Sequence, residues 1–253
     1  MNITWNAGVY TDHFSFVHRY GEDVLSLLDA APGSFVVDLG CGNGALTQKL
    51  AALGYRVLGI DASSDMLEKA RALHPELRFE QGDATQLSLS TPADAIFSNA
   101  VFHWIDADKQ PRLAAGIAGA LVPGGQLVCE FGGYGCAEHV HAALERAFAR
   151  RGLVYPRTFY FPTIGQYAPI LESAGLRITH ALLFDRPTPQ EGENGLRSWI
   201  AMFVKKPFEG MEDALREAII AEAEAELAGE LRQRDGTWII DYVRIRLRAV
   251  RPR

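Results

Sequence analysis

The chain has 253 residues, of which 48% are hydrophobic and 22% charged, so it can form one large globular domain with a substantial core. Its formal charge of −6 offers no general attraction to nucleic acid or to an anionic membrane, so we expect neither as a partner. It has no apolar run long enough to cross a bilayer, no signal-peptide order at its start, and three cysteines without metal-ligand spacing, so we expect a reduced, cytoplasmic protein with no metal site.

The first half of the chain alternates between two kinds of segment. Short apolar stretches rich in β-branched residues, most of them ending at Gly, Asp or Asn, alternate with stretches of helical spacing. This order predicts a Rossmann-like, doubly wound α/β fold in which helices cover both faces of a mostly parallel sheet. Ligands of such a sheet bind at the carboxyl ends of its strands. The five predicted strands are 34–40, 55–61, 77–83, 93–100 and 125–133.

The second half contains more helix, with two further strands. Strands are predicted near 176–185 and 238–249, and they are expected to form an antiparallel edge or a cap-bearing hairpin. Two helical stretches lie between them. The sequence therefore predicts a seven-stranded, mostly parallel sheet with a helical insert before the last strand.

The segment "VVDLGCGNG" carries the first candidate binding loop. Its glycines, Gly40, Gly42 and Gly44, are spaced G-x-G-x-G rather than the G-x-G-x-x-G of dinucleotide-binding loops. Asp38 precedes them by two residues, where a carboxylate would repel a diphosphate but suit an ammonium group. The loop thus favours a nucleotide ligand that carries no phosphate.

Residues at the ends of three later strands are candidates to bind the remaining parts of this ligand. Asp61, followed by Ala62, ends the second strand, where a carboxylate can accept hydrogen bonds from both ribose hydroxyls. Asp83 can accept from the exocyclic amine of adenine while the Ala84 N–H donates to a ring nitrogen, and Asn99 follows the fourth strand. An amino acid, a ribose and an adenine without phosphate describe S-adenosylmethionine. Any one of these acids alone fits a turn or cap residue equally well.

Four motifs, "VVDLGCGNG", "GIDASSDML", "GDA" and "FSNAVFHWI", resemble the successive motifs of class I S-adenosylmethionine-dependent methyltransferases, in the family's order over residues 34–130. The resemblance implies a cofactor site in which Met66 packs on the adenine. With the rest of the loop and Ala62, the predicted cofactor-binding residues are Asp38, Gly40, Gly42, Gly44, Asp61, Ala62, Met66, Asp83, Ala84 and Asn99.

The segment "NAVFHWI" is similar to the fourth strand of trans-aconitate and malonyl-carrier-protein methyltransferases, which esterify a carboxylate. The opening of the chain resembles the N-terminal lid of that subgroup, and "RPTPQEGENGLRSWIAMF" resembles its Trp-bearing helix over the pocket. No internal repeat or flexible linker divides the sequence, so a single domain, 1–253, is predicted. Its expected parts are a helical lid (1–33), a cofactor-binding core (34–135) and a substrate side (136–253).

The methyl acceptor is therefore expected to be a small molecule, with the carboxylate of an organic acid favoured and an O-methyl ester as product. A carboxylate is ionised at neutral pH and needs no general base. Two alternatives stay open: C- or O-methylation of a quinone or secondary metabolite, and a protein that binds the cofactor without catalysis. Either a monomer or a homodimer is compatible with the sequence.

His103 is the candidate catalytic residue, as a general base or as a hydrogen-bond donor to substrate, with a purely structural role as the alternative. Tyr10, Tyr20 and Trp104 are predicted to line the substrate pocket. The basic face of the last strand, formed by Arg244, Arg246 and Arg248, could bind an anion, but a solvated or ion-paired face is favoured. Candidate arginines for a carboxylate are Arg19, Arg157, Arg186 and Arg197.

Overall fold

The computed structural model describes residues 23–190, 192 and 194–253. Within them lies a seven-stranded sheet of order β3-β2-β1-β4-β5-β7-β6. The first five strands are parallel, and β7 is antiparallel to both β5 and β6. The strands are β1 (Phe35–Leu39), β2 (Arg56–Asp61), β3 (Arg78–Gln81), β4 (Ala93–Asn99), β5 (Leu121–Gly132), β6 (Arg177–Gln190) and β7 (Trp238–Val250).

The helices that lie wholly within the described residues are α1 (Ala45–Ala52), α2 (Ser64–Leu73), α3 (Gln110–Ala120), α4 (Glu138–Ala149), α5 (Ile164–Ser173), α6 (Gly195–Phe203) and α7 (Asp213–Leu231). Ser63 caps the N-terminus of α2, because its hydroxyl accepts a hydrogen bond from the Met66 N–H. The predicted insert before the last strand is formed by α6 and α7, so the predicted fold class is confirmed.

Both faces of the sheet are covered, because neighbouring strand residues point to opposite sides. Val37 and Ile96 pack with α3 and α5 in one cluster, whereas Val36 and Phe97 pack with α1 in another. A third cluster joins α4, α6 and α7 to the start of β7. None of the helices in the described ranges is long and apolar enough to cross a membrane.

Strand β6 is longer than the sequence predicts, since it pairs with β7 as far as Gln190. Pro187 and Pro189 lie in this stretch and would disrupt a central strand. They are tolerated because β6 is the last strand of the sheet and pairs with β7 alone. Most of the predicted N-terminal lid, including Tyr10 and Tyr20, lies outside the described residues.

Candidate active site

The loop after β1 requires glycine for two different reasons. Gly40 and Gly44 have φ values of 81° and 82°, and an added Cβ would overlap the side chain of Val101 at Gly40 and meet the Phe79 ring at Gly44. Gly42 also has a positive φ, of 54°, but no atom lies within 4 Å of the position of its absent Cβ. Glycine at positions 40 and 44 therefore allows neighbouring side chains to pack directly against the loop. Glycine at position 42 instead leaves open space at the edge of a cleft.

Asp61, at the end of β2, holds this loop in place. Its two carboxylate oxygens accept hydrogen bonds from the N–H of Gly42 at 2.9 Å and of Ser63 at 2.8 Å. Burial raises the pKa of Asp61 in spite of these hydrogen bonds. The carboxylate is 8% exposed and lines the cleft, where it can also accept from a ligand hydroxyl.

Asp83 lies across the cleft, just after β3. Its carboxylate accepts from the N–H and the hydroxyl of Thr85, and a short 3₁₀ turn begins at Ala84. Partial burial acts to raise the pKa of Asp83, but the hydrogen bonds from Thr85 outweigh it and hold the pKa below its ordinary value. Asp83 is thus an ionised acceptor at neutral pH.

The cleft brings together most of the predicted cofactor-binding residues. No lysine or arginine is among the cleft-lining residues that the described chain contributes. Carboxylates at two strand ends, apolar walls and no cation suit an adenosine without phosphates and do not suit a diphosphate. The predicted residues that line it are Gly40, Gly42, Asp61, Ala62, Met66, Asp83, Ala84, Asn99 and Trp104.

Asp38 and Gly44 do not line this cleft. Asp38 is 2% exposed and accepts a hydrogen bond of 2.6 Å from the Thr47 hydroxyl on α1. Burial raises its pKa to about 7, although the Thr47 hydrogen bond acts in the opposite direction. Asp38 supports the loop from the α1 side, and its contact with an ammonium group stays a prediction.

A second pocket adjoins the first. Ala100 and Trp104 line both pockets, and Ala100 has a φ of 61°, unusual for a residue other than glycine. This strained residue follows β4, and its N–H donates to the Glu130 carbonyl at 2.7 Å. The described residues that line the second pocket are Ala100, His103, Trp104, Cys136, Ala137, Phe159, Phe161, Trp199, Phe203, Tyr242 and Arg244.

His103 faces this second pocket rather than the first. Its Nδ1 accepts a hydrogen bond of 3.1 Å from the Gly132 N–H, so Nδ1 carries no proton. Burial, and secondarily the nearby Arg244, hold the pKa of His103 well below its usual range. The neutral ring then carries its proton on Nε2. This arrangement corresponds to a hydrogen-bond donor and leaves neither ring nitrogen free to act as a base.

Arg244 was not among the arginines predicted to hold a carboxylate. It is 7% exposed, lies 4.6 Å from the Tyr242 ring centroid, and its Nε is buried without a hydrogen-bond partner. No carboxylate of the described residues pairs with it, whereas Arg246 and Arg248 bind Glu130 and Asp29. The favoured interpretation of a solvated or ion-paired face thus holds for two of its arginines and is wrong for Arg244, for which anion binding stays a prediction.

Three of the arginines predicted to hold a substrate carboxylate form ion pairs with carboxylates of the chain instead. Arg157 pairs with Glu138 and Glu145, Arg186 with Glu130, and Arg197 with Glu217 and Glu224. None of the three lines the second pocket. Arg19 lies outside the described residues.

Sequence reasoning also missed the aromatic wall of this pocket. Phe159 and Phe161 come from a connection without regular structure between α4 and α5. Their alternate spacing around Tyr160 is the one signal that the sequence offered.

Comparison with known proteins identifies the family. Residues 36–125 match the model of a methyltransferase domain family. A trans-aconitate 2-methyltransferase of Deinococcus radiodurans is 34% identical over 213 residues, which cover 78% of this chain and 79% of that protein. That of Methylobacterium nodulans is 31% identical over 268 residues, which cover 98% and 99%. The chain belongs to the class I S-adenosylmethionine-dependent methyltransferases. Its cofactor is therefore S-adenosylmethionine.

Solved structures agree on the fold of this methyltransferase. An S-adenosylmethionine-dependent methyltransferase from Mesorhizobium loti superposes with a TM-score of 0.54 at 21% identity, covering 91% of this chain and 96% of that one. The identity is too low to carry more than the fold.

Proposed function

We propose that the protein transfers the methyl group of S-adenosylmethionine to a carboxylate oxygen of a small organic acid, forming an O-methyl ester. The observation that carries this proposal is Arg244, a buried guanidinium with no carboxylate partner among the described residues, in the pocket that shares Ala100 and Trp104 with the cofactor cleft. A buried charge without a partner is costly. A substrate carboxylate would remove this cost.

S-adenosylmethionine supplies a methyl group bonded to a positively charged sulfur. The chain would orient the acid: Arg244 holds the carboxylate, and the Nε2–H of His103 donates to one of its oxygens. A lone pair of the carboxylate forms the new oxygen–carbon bond as the carbon–sulfur bond breaks, and no proton moves. The aromatic walls exclude water, so the attacking oxygen is poorly hydrated.

The relatives support an acid as acceptor. Two relatives that match over most of their length are named for trans-aconitate, which is a carboxylic acid. The motif around Asn99 and His103 resembles that of carboxylate-esterifying methyltransferases.

The proposal is tested with the purified chain, S-adenosylmethionine and a panel of carboxylic acids, phenols and quinones, with methylated products identified by mass spectrometry. We expect methyl esters of acids. Arg244→Gln should lower kcat/KM for the best acid about 100-fold, because a charge-assisted pair of roughly 3 kcal/mol is lost, while the affinity for S-adenosylhomocysteine stays unchanged.

Arg248→Gln is the matched control, since Arg248 lies on the same strand but pairs with Asp29 outside the pocket. It should change kcat/KM less than about twofold. No ester from any acid, or equal activity of the Arg244→Gln variant and the wild type, would contradict the proposal.

A phenol or quinone is the second candidate, favoured by the aromatic lining of the second pocket. A phenol usually needs a base to remove its proton. His103 does not offer one, since its Nδ1 is occupied by the Gly132 N–H. Methylated phenols or quinones without esters in the same panel would establish this alternative.

A further inference from the structure

We propose that the acceptor is a monocarboxylic acid with a flat, aromatic or otherwise apolar body, and not a di- or tricarboxylate. This inference rests on the proposed function, because it specifies which acids the second pocket takes. The inference follows from the number of cationic side chains that line the second pocket and from the aromatic side chains that form its walls.

The pocket presents one positive charge in the part of the chain that is described. Arg244 is the single cationic side chain among the described residues that line the pocket. His103 is neutral, and so is His141 behind the wall, because burial lowers its pKa to about 4. A single cation matches a single carboxylate.

Two further arginines, Arg186 and Arg246, are already paired with a carboxylate of the chain. Arg186 and Arg246 both bind the carboxylate of Glu130, which is 2% exposed, and Arg246 does so at 2.7 Å. Neither lines the pocket. A second or third carboxylate of a substrate would thus find no cation among the described lining residues.

The remaining walls are aromatic. Phe159 and Phe161 are stacked, with ring centroids 5.1 Å apart and planes 7° apart, and the Trp104 ring lies 4.7 Å from that of Phe159. Trp199 and Phe203 complete this surface, with their centroids 5.5 Å apart. Such walls form a slot that suits a flat apolar body.

The wall is fixed in position by its packing. Phe161 lies directly on Gly132, where an added Cβ would overlap the ring. The Trp199 indole N–H donates a hydrogen bond to the Tyr242 hydroxyl at 2.5 Å, and the Arg244 guanidinium lies over the Tyr242 ring. The aromatic wall of the slot and the Arg244 guanidinium are therefore connected through Tyr242.

An additional carboxylate would be unfavourable in this slot. Aromatic faces carry partial negative charge and repel anions, and an ion buried without a partner loses its hydration. An aryl body gains instead from apolar burial and ring packing.

The test compares kcat/KM for phenylacetate and cinnamate with that for trans-aconitate and citrate, using the full chain and S-adenosylmethionine. We expect the aryl monoacids to exceed the tricarboxylates by about 100-fold or more. Preferred esterification of a tricarboxylate would overturn this inference while leaving the proposed function intact. Methylation of phenols with no acid esterified would instead overturn the proposed function.

A variant pair tests the wall itself. Phe159→Leu should raise KM for phenylacetate about tenfold, because a stacked ring is lost, with kcat changed far less. Tyr160→Leu is the matched control, because its ring packs against Tyr167 and does not line the pocket. Equal KM values for the two variants would overturn the inference. Thermal unfolding of both variants distinguishes a loss of folding from a loss of binding.

Discussion

At the scale of single residues, the cofactor loop holds two buried carboxylates close together. Asp38 and Asp61 are both almost inaccessible to solvent, and the charge of Asp61 is one of the causes that raise the pKa of Asp38. Burial is the larger cause, and the pKa reaches about 7. In the unliganded protein Asp38 is therefore protonated over much of the range in which an ordinary aspartate is ionised.

This gives a pH-dependent stability. The unfolded chain releases the Asp38 proton near pH 3.8 and the folded protein near pH 7, so raising the pH between these values favours unfolding. Relative to Asp38→Asn, the wild type should lose about 2 kcal/mol of unfolding free energy between pH 5 and pH 7. Urea denaturation without cofactor measures this difference.

The exposed Asp65→Asn, in the first turn of α2, is the control for a change of charge alone. It measures how the removal of one surface carboxylate changes the unfolding free energy. A difference between the wild type and Asp38→Asn that does not vary with pH would show that burial does not raise the pKa of Asp38.

At the scale of elements, the strand–loop–helix unit from β1 to α1 depends on three glycines with different neighbours. Gly40 touches Val101, which follows β4, and Gly44 touches Phe79 of β3. The loop is thereby packed against the connection that follows β4 and against β3 itself. Gly42 is tied to β2 by Asp61 but leaves open space beside it.

Two alanine variants separate these roles. Gly40→Ala should destabilise the protein by about 2–4 kcal/mol, since its Cβ overlaps Val101 at a positive φ. Gly42→Ala should cost only about 1 kcal/mol of backbone strain, because no atom lies near its Cβ.

We expect Gly42→Ala nevertheless to weaken S-adenosylhomocysteine binding about tenfold, a loss of roughly 1.4 kcal/mol, because the new methyl group occupies the edge of the cleft. Calorimetric titration and thermal unfolding measure the two effects. A Gly42→Ala variant with wild-type affinity would show that the cofactor does not approach this residue.

At the scale of the whole molecule, the sequence was sufficient for the sheet and the cofactor cleft. Strands β2 and β4, which end at Asp61 and Asn99, and β3, which ends two residues before Asp83, follow from local hydrophobic patterns. Parallel strands bring their carboxyl ends to one edge of the sheet. The division into lid, core and substrate side stays a prediction.

The second pocket could not be predicted in the same way. The alternation of residues along β7 predicts that Arg244, Arg246 and Arg248 share a face of the strand. It does not predict that Arg246 and Arg248 pair with carboxylates of the described residues whereas the buried Arg244 does not. Phe159 and Phe161 reach the pocket through tertiary packing of a connection that has no periodicity. The tautomer of His103 depends on a backbone N–H from β5, 29 residues further along the chain.

The most direct test of the central claim is a crystal structure of the complex with S-adenosylhomocysteine and phenylacetate. We predict that the carboxylate lies within about 3 Å of the Arg244 guanidinium and the His103 Nε2, with its ring between the aromatic walls. A structure in which Arg244 pairs with a carboxylate of the chain itself, or in which the acid binds outside the second pocket, would contradict the account.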